Sequence, residues 1–138
     1  MGEAVVILNP KIGDNFKYIR KQAAQLPSKT RFIAAQFERY FTHHLWREIA
    51  QASCLMAEKL YQGLREFPEL EITSARQSNA VFVKIPKAWV KSLRETSFFY
   101  VWDEKTFECR LMTSWDTTES DIDGFLLNLK VLRNSGKV

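Results

Sequence analysis

The strongest constraint on the fold is an amphipathic stripe that begins near Thr42 and ends near Phe67-Pro68. Its apolar residues follow the spacing of an α-helix: Leu45, Ile49, Ala52, Met56, Leu60 and Leu64. A helix with one apolar stripe has to bury that stripe against another element. After Pro68 the apolar period changes from that of a helix to that of a strand, so the sequence predicts helices packed on a sheet.

The segment after this helix predicts four strands and two further helices. The predicted strands cover 70–73, 80–85, 98–102 and 107–112, and the predicted helices cover 86–96 and 118–133. Pro86 suits the first turn of a helix, and Thr118 with Asp121 resembles a capping box. The order over 42–138 is therefore α-β-β-α-β-β-α. It predicts an α+β fold with helices on one face of a small, mostly antiparallel sheet.

Residues 1–41 do not fit that plan. Their pattern predicts a strand over 3–8, a helix over 14–25 with Asp14 as its N-cap, and an apolar helix that opens near Ser28. A single strand leaves its backbone edges unpaired, and a helix that is apolar on most sides needs partners around it. We therefore expect this segment to belong to a larger structure or to an oligomer interface.

The composition excludes several classes of protein. Hydrophobic residues make up 46% of the 138 residues, which is ample for a core and argues against disorder. The net charge of +4 is far from the dense basic stripe of a nucleic-acid binder. The longest apolar runs are too short to span a membrane. Two cysteines without a CxxC pair, and a start unlike a signal peptide, predict a cytoplasmic setting.

Three patterns suggest chemistry, but each has a simpler explanation. His43 and His44 are adjacent, so on a helix they point about 100° apart and do not easily chelate one ion. Residues 119–124, "ESDIDG", resemble part of a calcium loop, yet the apolar stripe of the last helix runs through them. Cys54 and Cys109 have no histidine near them in the sequence, which favours a structural role. We therefore predict no catalytic residue and no metal site from local motifs.

A group of basic residues near the N-terminus is one candidate for anion binding. Arg20 and Lys21 lie side by side on a predicted helix, and Arg31 follows on the next. The pattern fits a solvated helix face, in which long basic side chains simply reach into water. It also fits an anion site, because basic residues are concentrated in this half of the chain.

Arg110 is the second candidate, because it lies inside a predicted strand. Neighbouring residues of a strand alternate between faces, so Arg110 points away from Cys109 and Leu111. One alternative is a surface arginine that pairs with Glu108 or Asp116. The other is a guanidinium that binds a carboxylate with two parallel hydrogen bonds.

Five stretches of the sequence occur in an order that resembles one enzyme family. They are "GEAVVILNP", "IRKQAAQLPSKTRFIAAQF", "SNAVFVKIP", "FFYVWDE" and "CRLMTSWDTTESDIDGF". Together they resemble the C-terminal portion of the low-specificity L-threonine aldolases. These are fold-type-I pyridoxal 5'-phosphate (PLP) enzymes of the β-eliminating lyase superfamily. The resemblance extends over nearly the whole chain.

The resemblance implies a role for each part of the chain. Residues 1–41 would be the end of the large domain with its linking helices, and residues 42–138 would be the C-terminal small domain. Arg110 would bind the α-carboxylate of the substrate and so orient the Cα–Cβ bond for cleavage. Lys21 would reach an anion of the substrate or cofactor, and the roles of Arg20 and Arg31 stay open. The implied reaction splits L-threonine-type β-hydroxy-α-amino acids into glycine and an aldehyde.

The other functional residues of that family have no counterpart in this sequence. The family's Schiff-base lysine precedes the stretch that resembles "GEAVV", and its phosphate-binding loop and ring-binding residues lie further upstream. PLP acts as an electron sink only when a protein holds and tunes it. We therefore expect a chain that is inactive alone and acts as a homo-oligomer, a homotetramer in the family, or paired with a large domain. The alternative is a non-catalytic interaction or assembly module with the same fold.

Overall fold

The computed structural model describes residues 3–136 of the chain. The chain divides into two compact units, Met1–Trp46 and Arg47–Val138. The predicted domains, 1–41 and 42–138, concern membership of a larger enzyme and stay a prediction. Their residues 1, 2, 137 and 138 lie outside the described residues.

The second unit is built on a four-stranded sheet. Its strands are β1 (Glu71–Ile72), β2 (Ala80–Lys84), β3 (Tyr100–Asp103) and β4 (Glu108–Met112). They lie in the order β1-β2-β4-β3, and every neighbouring pair is antiparallel. The helices are α3 (Leu45–Leu64), which begins just before this unit, α4 (Lys87–Arg94) and α5 (Glu119–Asn134). The predicted α-β-β-α-β-β-α order and α+β class are confirmed.

The core lies between the sheet and its three helices. Alternation along β2 and β4 sends one set of side chains to the helices: Val81, Val83, Cys109 and Leu111. The helices contribute buried apolar side chains to the same core, among them Leu60, Leu64, Trp89, Leu93 and Leu129. Burying an aliphatic side chain of this size contributes about 1.5–3 kcal/mol, so this face of the sheet stabilises the unit.

The start of α5 is fixed by a capping box. The Asp121 backbone N–H donates to Thr118 Oγ1 at 3.3 Å, and the Thr118 backbone N–H donates to Asp121 Oδ2 at 2.8 Å. These bonds satisfy two backbone donors at a helix end, as predicted from the sequence. The hydrogen bonds from Thr118 also lower the pKa of the Asp121 carboxyl. The calcium-like stretch is therefore the first turn of a helix.

Thr113 ties the end of β4 to α3 through buried hydrogen bonds. Its hydroxyl donates to the Ser53 carbonyl oxygen at 2.7 Å, and its backbone N–H donates to the Asn79 carbonyl oxygen at 3.0 Å. The Asn79 amide donates to the Thr113 carbonyl oxygen at 2.7 Å. Thr113 and Ser53 are the two buried polar residues of the described chain. This contact fixes the position of the end of β4 relative to α3.

Replacing Thr113 by valine tests that contact. Valine keeps the shape of threonine but leaves the buried Ser53 carbonyl oxygen without its side-chain donor, so we expect the free energy of unfolding to fall by about 1–2 kcal/mol. Urea denaturation of the full chain measures the change. The exposed Thr30, changed to valine as a control, should cost less than about 0.5 kcal/mol. Equal losses in both variants would contradict the structural role of Thr113.

The described residues 3–46 of the first unit form two helices and no strand. Its helices are α1 (Phe16–Gln22) and α2 (Thr30–Phe41), and short 3-10 turns cover Pro10–Ile12 and Thr42–His44. The predicted strand over 3–8 is not formed. A strand needs a hydrogen-bonded neighbour, and none of the described residues pairs with this segment.

The helix ends of the first unit also differ from the predictions. The N-cap of α1 is Asn15 rather than Asp14, and its side chain makes no capping hydrogen bond. The second helix begins at Thr30, two residues after the predicted start at Ser28. Ends without a strong cap are set by weak local preferences, which a sequence pattern locates poorly.

The first unit has no core of its own. None of the described residues between 3 and 46 is buried, and many apolar side chains are open to water. They include Val6, Leu8, Ile12, Phe32 and Phe41. No helix of the described chain is both long enough and apolar enough to cross a membrane. Exposed apolar side chains in this number are typical of a surface that contacts another protein.

Candidate functional site

The sheet of the second unit has one face that its helices leave uncovered, which we call the open face. It carries Phe82 from β2, Tyr100 and Trp102 from β3, and Arg110 and Met112 from β4. The pairing register places Phe82 and Tyr100 on either side of Arg110. Tyr100 and Trp102 are 55% and 58% exposed, so the face is accessible within the described chain. A charged group on it can meet a ligand from outside.

Arg110 contacts two aromatic rings, and it forms no ion pair with an acidic group among the described residues. Its guanidinium carbon Cζ lies 5.4 Å from the ring centroid of Tyr100 and 4.9 Å from that of Trp102. Both distances are typical of cation–π contacts. Its Nε is shielded from water and has no hydrogen-bond partner among the described residues. The positive charge of Arg110 is therefore stabilised without being neutralised.

The alternative of a surface ion pair is not formed. Glu108 instead accepts a hydrogen bond from the Thr73 hydroxyl, and the ion pairs between described residues do not involve Arg110 or Asp116. An arginine remains charged at any physiological pH, and its planar fork matches a carboxylate. The arrangement can therefore bind an external carboxylate or another small anion.

The two rings beside Arg110 are each supported by another ring. Trp102 makes an edge contact with Phe82 at 5.8 Å between centroids, and Tyr100 makes one with Phe98 at 5.0 Å. We call Tyr100 and Trp102 the aromatic platform. The sequence pattern predicts a strand for these residues but no functional role. Their i, i+2 spacing on either side of Val101 was the signal in the sequence that both rings lie on the same face of the strand.

The other predicted anion-binding residues lie in the first unit. Arg20 and Lys21 occupy the last turn of α1 and are exposed. Arg31 lies at the start of α2, where its Cζ is 5.1 Å from the Phe32 ring centroid. The role of Lys21 in binding an anion stays a prediction, as does any joint action of Lys21 and Arg110.

The two histidines lie in the short turn before α3. Both have positive φ angles, 53° for His43 and 59° for His44. These lie in the left-handed region of the backbone, which residues other than glycine seldom adopt. Across residues 3–136, no three His, Cys, Asp or Glu side chains form a group that could hold a metal ion.

The two cysteines differ in their access to water. Cys109 is buried in the core, and this burial raises the pKa of its thiol to about 11. Cys54 is partly exposed on α3. Both are free thiols. A raised pKa is the reverse of what a nucleophile needs, so the environment of Cys109 suits a structural cysteine.

Thiol labelling tests this difference. At pH 8 a thiol with a pKa of about 11 is ionised in about one molecule in a thousand, and only the thiolate reacts. We therefore expect a disulfide reagent to modify one thiol rapidly in the native chain and the second only after denaturation. The Cys54→Ser variant should be almost unreactive until it unfolds. Rapid labelling of native Cys54→Ser would contradict the burial of Cys109.

The chain is similar in sequence to known enzymes. No protein-family model matches the chain. Two curated relatives are low specificity L-threonine aldolases: one from Pseudomonas sp. (strain NCIMB 10558), 26% identical over 98% of this chain, and one from Pseudomonas aeruginosa, 28% identical over 85%. The resemblance to low-specificity L-threonine aldolases is confirmed. The chain spans 39% of the length of the first relative and 34% of the length of the second. It is therefore similar to one portion of these proteins and not to their whole length.

Solved structures agree with the resemblance to threonine aldolase. The threonine aldolase of Leishmania major superposes with a TM-score of 0.79 and 28% identity, over 91% of this chain and 37% of its own. The cystine C-S lyase C-DES, solved with cysteine persulfide, gives a TM-score of 0.51 and 26% identity over 60% of this chain and 24% of its own. Another C-DES structure, with glycine covalently linked to its PLP cofactor, superposes with a TM-score of 0.52 and 27% identity. The match covers 60% of this chain and 23% of the C-DES chain.

The described residues do not fit a covalent PLP site, although PLP is the cofactor of a structural neighbour. A Schiff-base lysine has to lose its proton, which burial promotes. No described lysine is buried. Lys84, on the side of the open face, pairs with Glu71 at 2.8 Å, and Asp123 and Glu119 raise the pKa of Lys59. The described residues of this threonine-aldolase-like chain therefore offer a candidate carboxylate site but no lysine suited to covalent attachment of PLP.

Proposed function

We propose that the chain acts as the small-domain part of a PLP-dependent lyase, in which Arg110 binds the α-carboxylate of the substrate. The substrates are L-threonine-type β-hydroxy-α-amino acids, and the products are glycine and an aldehyde. The observation that carries the proposal is the state of Arg110. It is a permanently charged group on an accessible face with no acidic partner among the described residues.

The chemistry of the α-carboxylate explains why an arginine of this kind suits the role. The carboxylate is the one group that every α-amino acid carries with a fixed negative charge. An arginine that already pairs with an acidic residue would have to break that pair first. Arg110 instead lies against aromatic rings, which leaves its hydrogen-bond donors available.

The contribution of Arg110 to the reaction is orientation. Holding the carboxylate at one point fixes the rotation of the substrate about Cα, and this determines which Cα bond is presented for cleavage. Hydrogen bonds to the carboxylate exist before, during and after bond cleavage. Such uniform binding lowers KM more than it raises kcat.

To act in this reaction, the chain needs groups that its described residues do not supply. We infer that it is inactive alone, because none of its described lysines suits covalent PLP. The larger enzyme supplies the cofactor site, and Lys21 contacts a substrate or cofactor anion after assembly. A cytoplasmic homo-oligomer or a pairing with a large domain provides that assembly.

The exposed apolar residues of the first unit favour a second candidate function. A chain that kept this fold without the chemistry would act as an interaction or assembly module. Val6, Leu8 and Phe32 would then be its binding surface. This candidate needs no role for Arg110, so the two functions predict different results for the same substitution.

A hybrid enzyme tests the role of Arg110. The chain replaces the matching segment of the Pseudomonas aeruginosa threonine aldolase, and glycine release from L-threonine is measured. Because Arg110 makes charge-assisted hydrogen bonds to the carboxylate, Arg110→Ala should raise KM by about 10- to 100-fold, with a smaller change in kcat. Arg110→Lys keeps the charge but loses the planar fork of the guanidinium. Its KM should therefore lie between that of the unsubstituted hybrid and that of Arg110→Ala.

Two controls define the outcome. Arg94→Ala removes an exposed arginine from α4, on the helix side of the sheet, and should leave KM unchanged. The 138-residue chain with added PLP should release no glycine. An active hybrid with the same KM in the Arg110→Ala and Arg94→Ala variants would exclude the carboxylate role. A hybrid that assembles but never cleaves threonine would favour the assembly module.

A further inference from the structure

The surroundings of Arg110 restrict the way in which it can meet a ligand. An arginine can bind a carboxylate side-on, through Nε and one terminal amino group, or end-on, through both terminal amino groups. The Nε of Arg110 is shielded from water, which closes the side-on approach. The terminal groups Nη1 and Nη2 are not among the shielded atoms without a partner, and no ion pair or hydrogen bond between described residues uses them. They are the donors left for a ligand.

We propose that Tyr100 and Trp102, the aromatic platform, are positioning residues that hold Arg110 for end-on binding of a carboxylate. This inference rests on the proposed function and adds to it the residues that set the geometry of the clamp. The closest approach is that of Trp102, whose ring centroid lies 4.9 Å from the guanidinium carbon. Neither ring touches the ligand in this role, so neither is a catalytic residue.

Aromatic rings suit this task better than an acidic residue. A carboxylate beside Arg110 would hold the guanidinium in place but would also compete with the substrate for its donors. A ring attracts the cation through its π face and occupies none of the in-plane N–H groups. The long arginine side chain loses less freedom on binding when it is already held, which favours affinity.

The platform is not explained by the stability of the core. Tyr100 and Trp102 are both more than half exposed, on the face opposite the buried residues of β2 and β4. Their ring contacts with Phe98 and Phe82 lie on the same open side. Removing the Trp102 ring should therefore leave the fold intact, which makes its role measurable.

Side-chain NMR of the full chain tests the positioning directly. The Arg110 Nε–H signal, assigned by its loss in Arg110→Lys, should be rigid and slow to exchange with water. In Trp102→Ala we expect exchange at least about threefold faster, as the guanidinium is released from the ring. Trp115→Ala removes an exposed tryptophan with no contact to Arg110 and should leave the signal unchanged. An unchanged Nε–H signal in Trp102→Ala would overturn the proposal.

Kinetics in the hybrid enzyme separate this inference from the function on which it rests. Trp102→Ala should raise KM for L-threonine by about two- to fivefold with kcat nearly constant, and Trp102→Phe should restore most of the loss. If Arg110→Ala raises KM but Trp102→Ala does not, the positioning role is wrong and the carboxylate role stands. If Arg110→Ala has no effect, both fail.

Discussion

The alternation of side chains along β4 is the constraint on which the rest of the structure depends. This strand has neighbours on both sides: its register with β2 is continuous, and its register with β3 is regular at Arg110 and Cys109 and shifts at a bulge between Val101 and Asp103. Cys109 and Leu111 then point into the core, and Arg110 points to the open face. A slip of one residue would bury the guanidinium among aliphatic side chains, at a cost of several kcal/mol. The energy that builds the core therefore also fixes the position of the charge.

The alternation of side chains on β3 places two aromatic rings beside the charge of Arg110. Val101 faces the core, while Tyr100 and Trp102 stand on the open face beside Arg110. The rings hold the cation without neutralising it. The first unit, in contrast, has no buried residue among those described, so its apolar side chains require a surface outside the unit. These two features suit a chain that acts as one part of a larger assembly.

Much of the second unit could be predicted from the sequence because its signals are local. The apolar stripe of α3 and the capping box of Thr118 and Asp121 depend on residues a few positions apart. The strand over 3–8 was predicted wrongly because a strand depends on a partner that no local pattern reveals. The surroundings of Arg110 were equally hidden. Its neighbours in sequence suggested Glu108, whereas the register supplied Tyr100 from ten residues away.

A comparison of two inhibitors of the hybrid enzyme tests the central claim most directly. Glycine and ethanolamine share an amino group, but only glycine carries a carboxylate. If Arg110 binds that carboxylate, Arg110→Ala should weaken inhibition by glycine about 10- to 100-fold and leave inhibition by ethanolamine nearly unchanged. Equal losses for both inhibitors, or no loss for either, would contradict a carboxylate-binding role for Arg110.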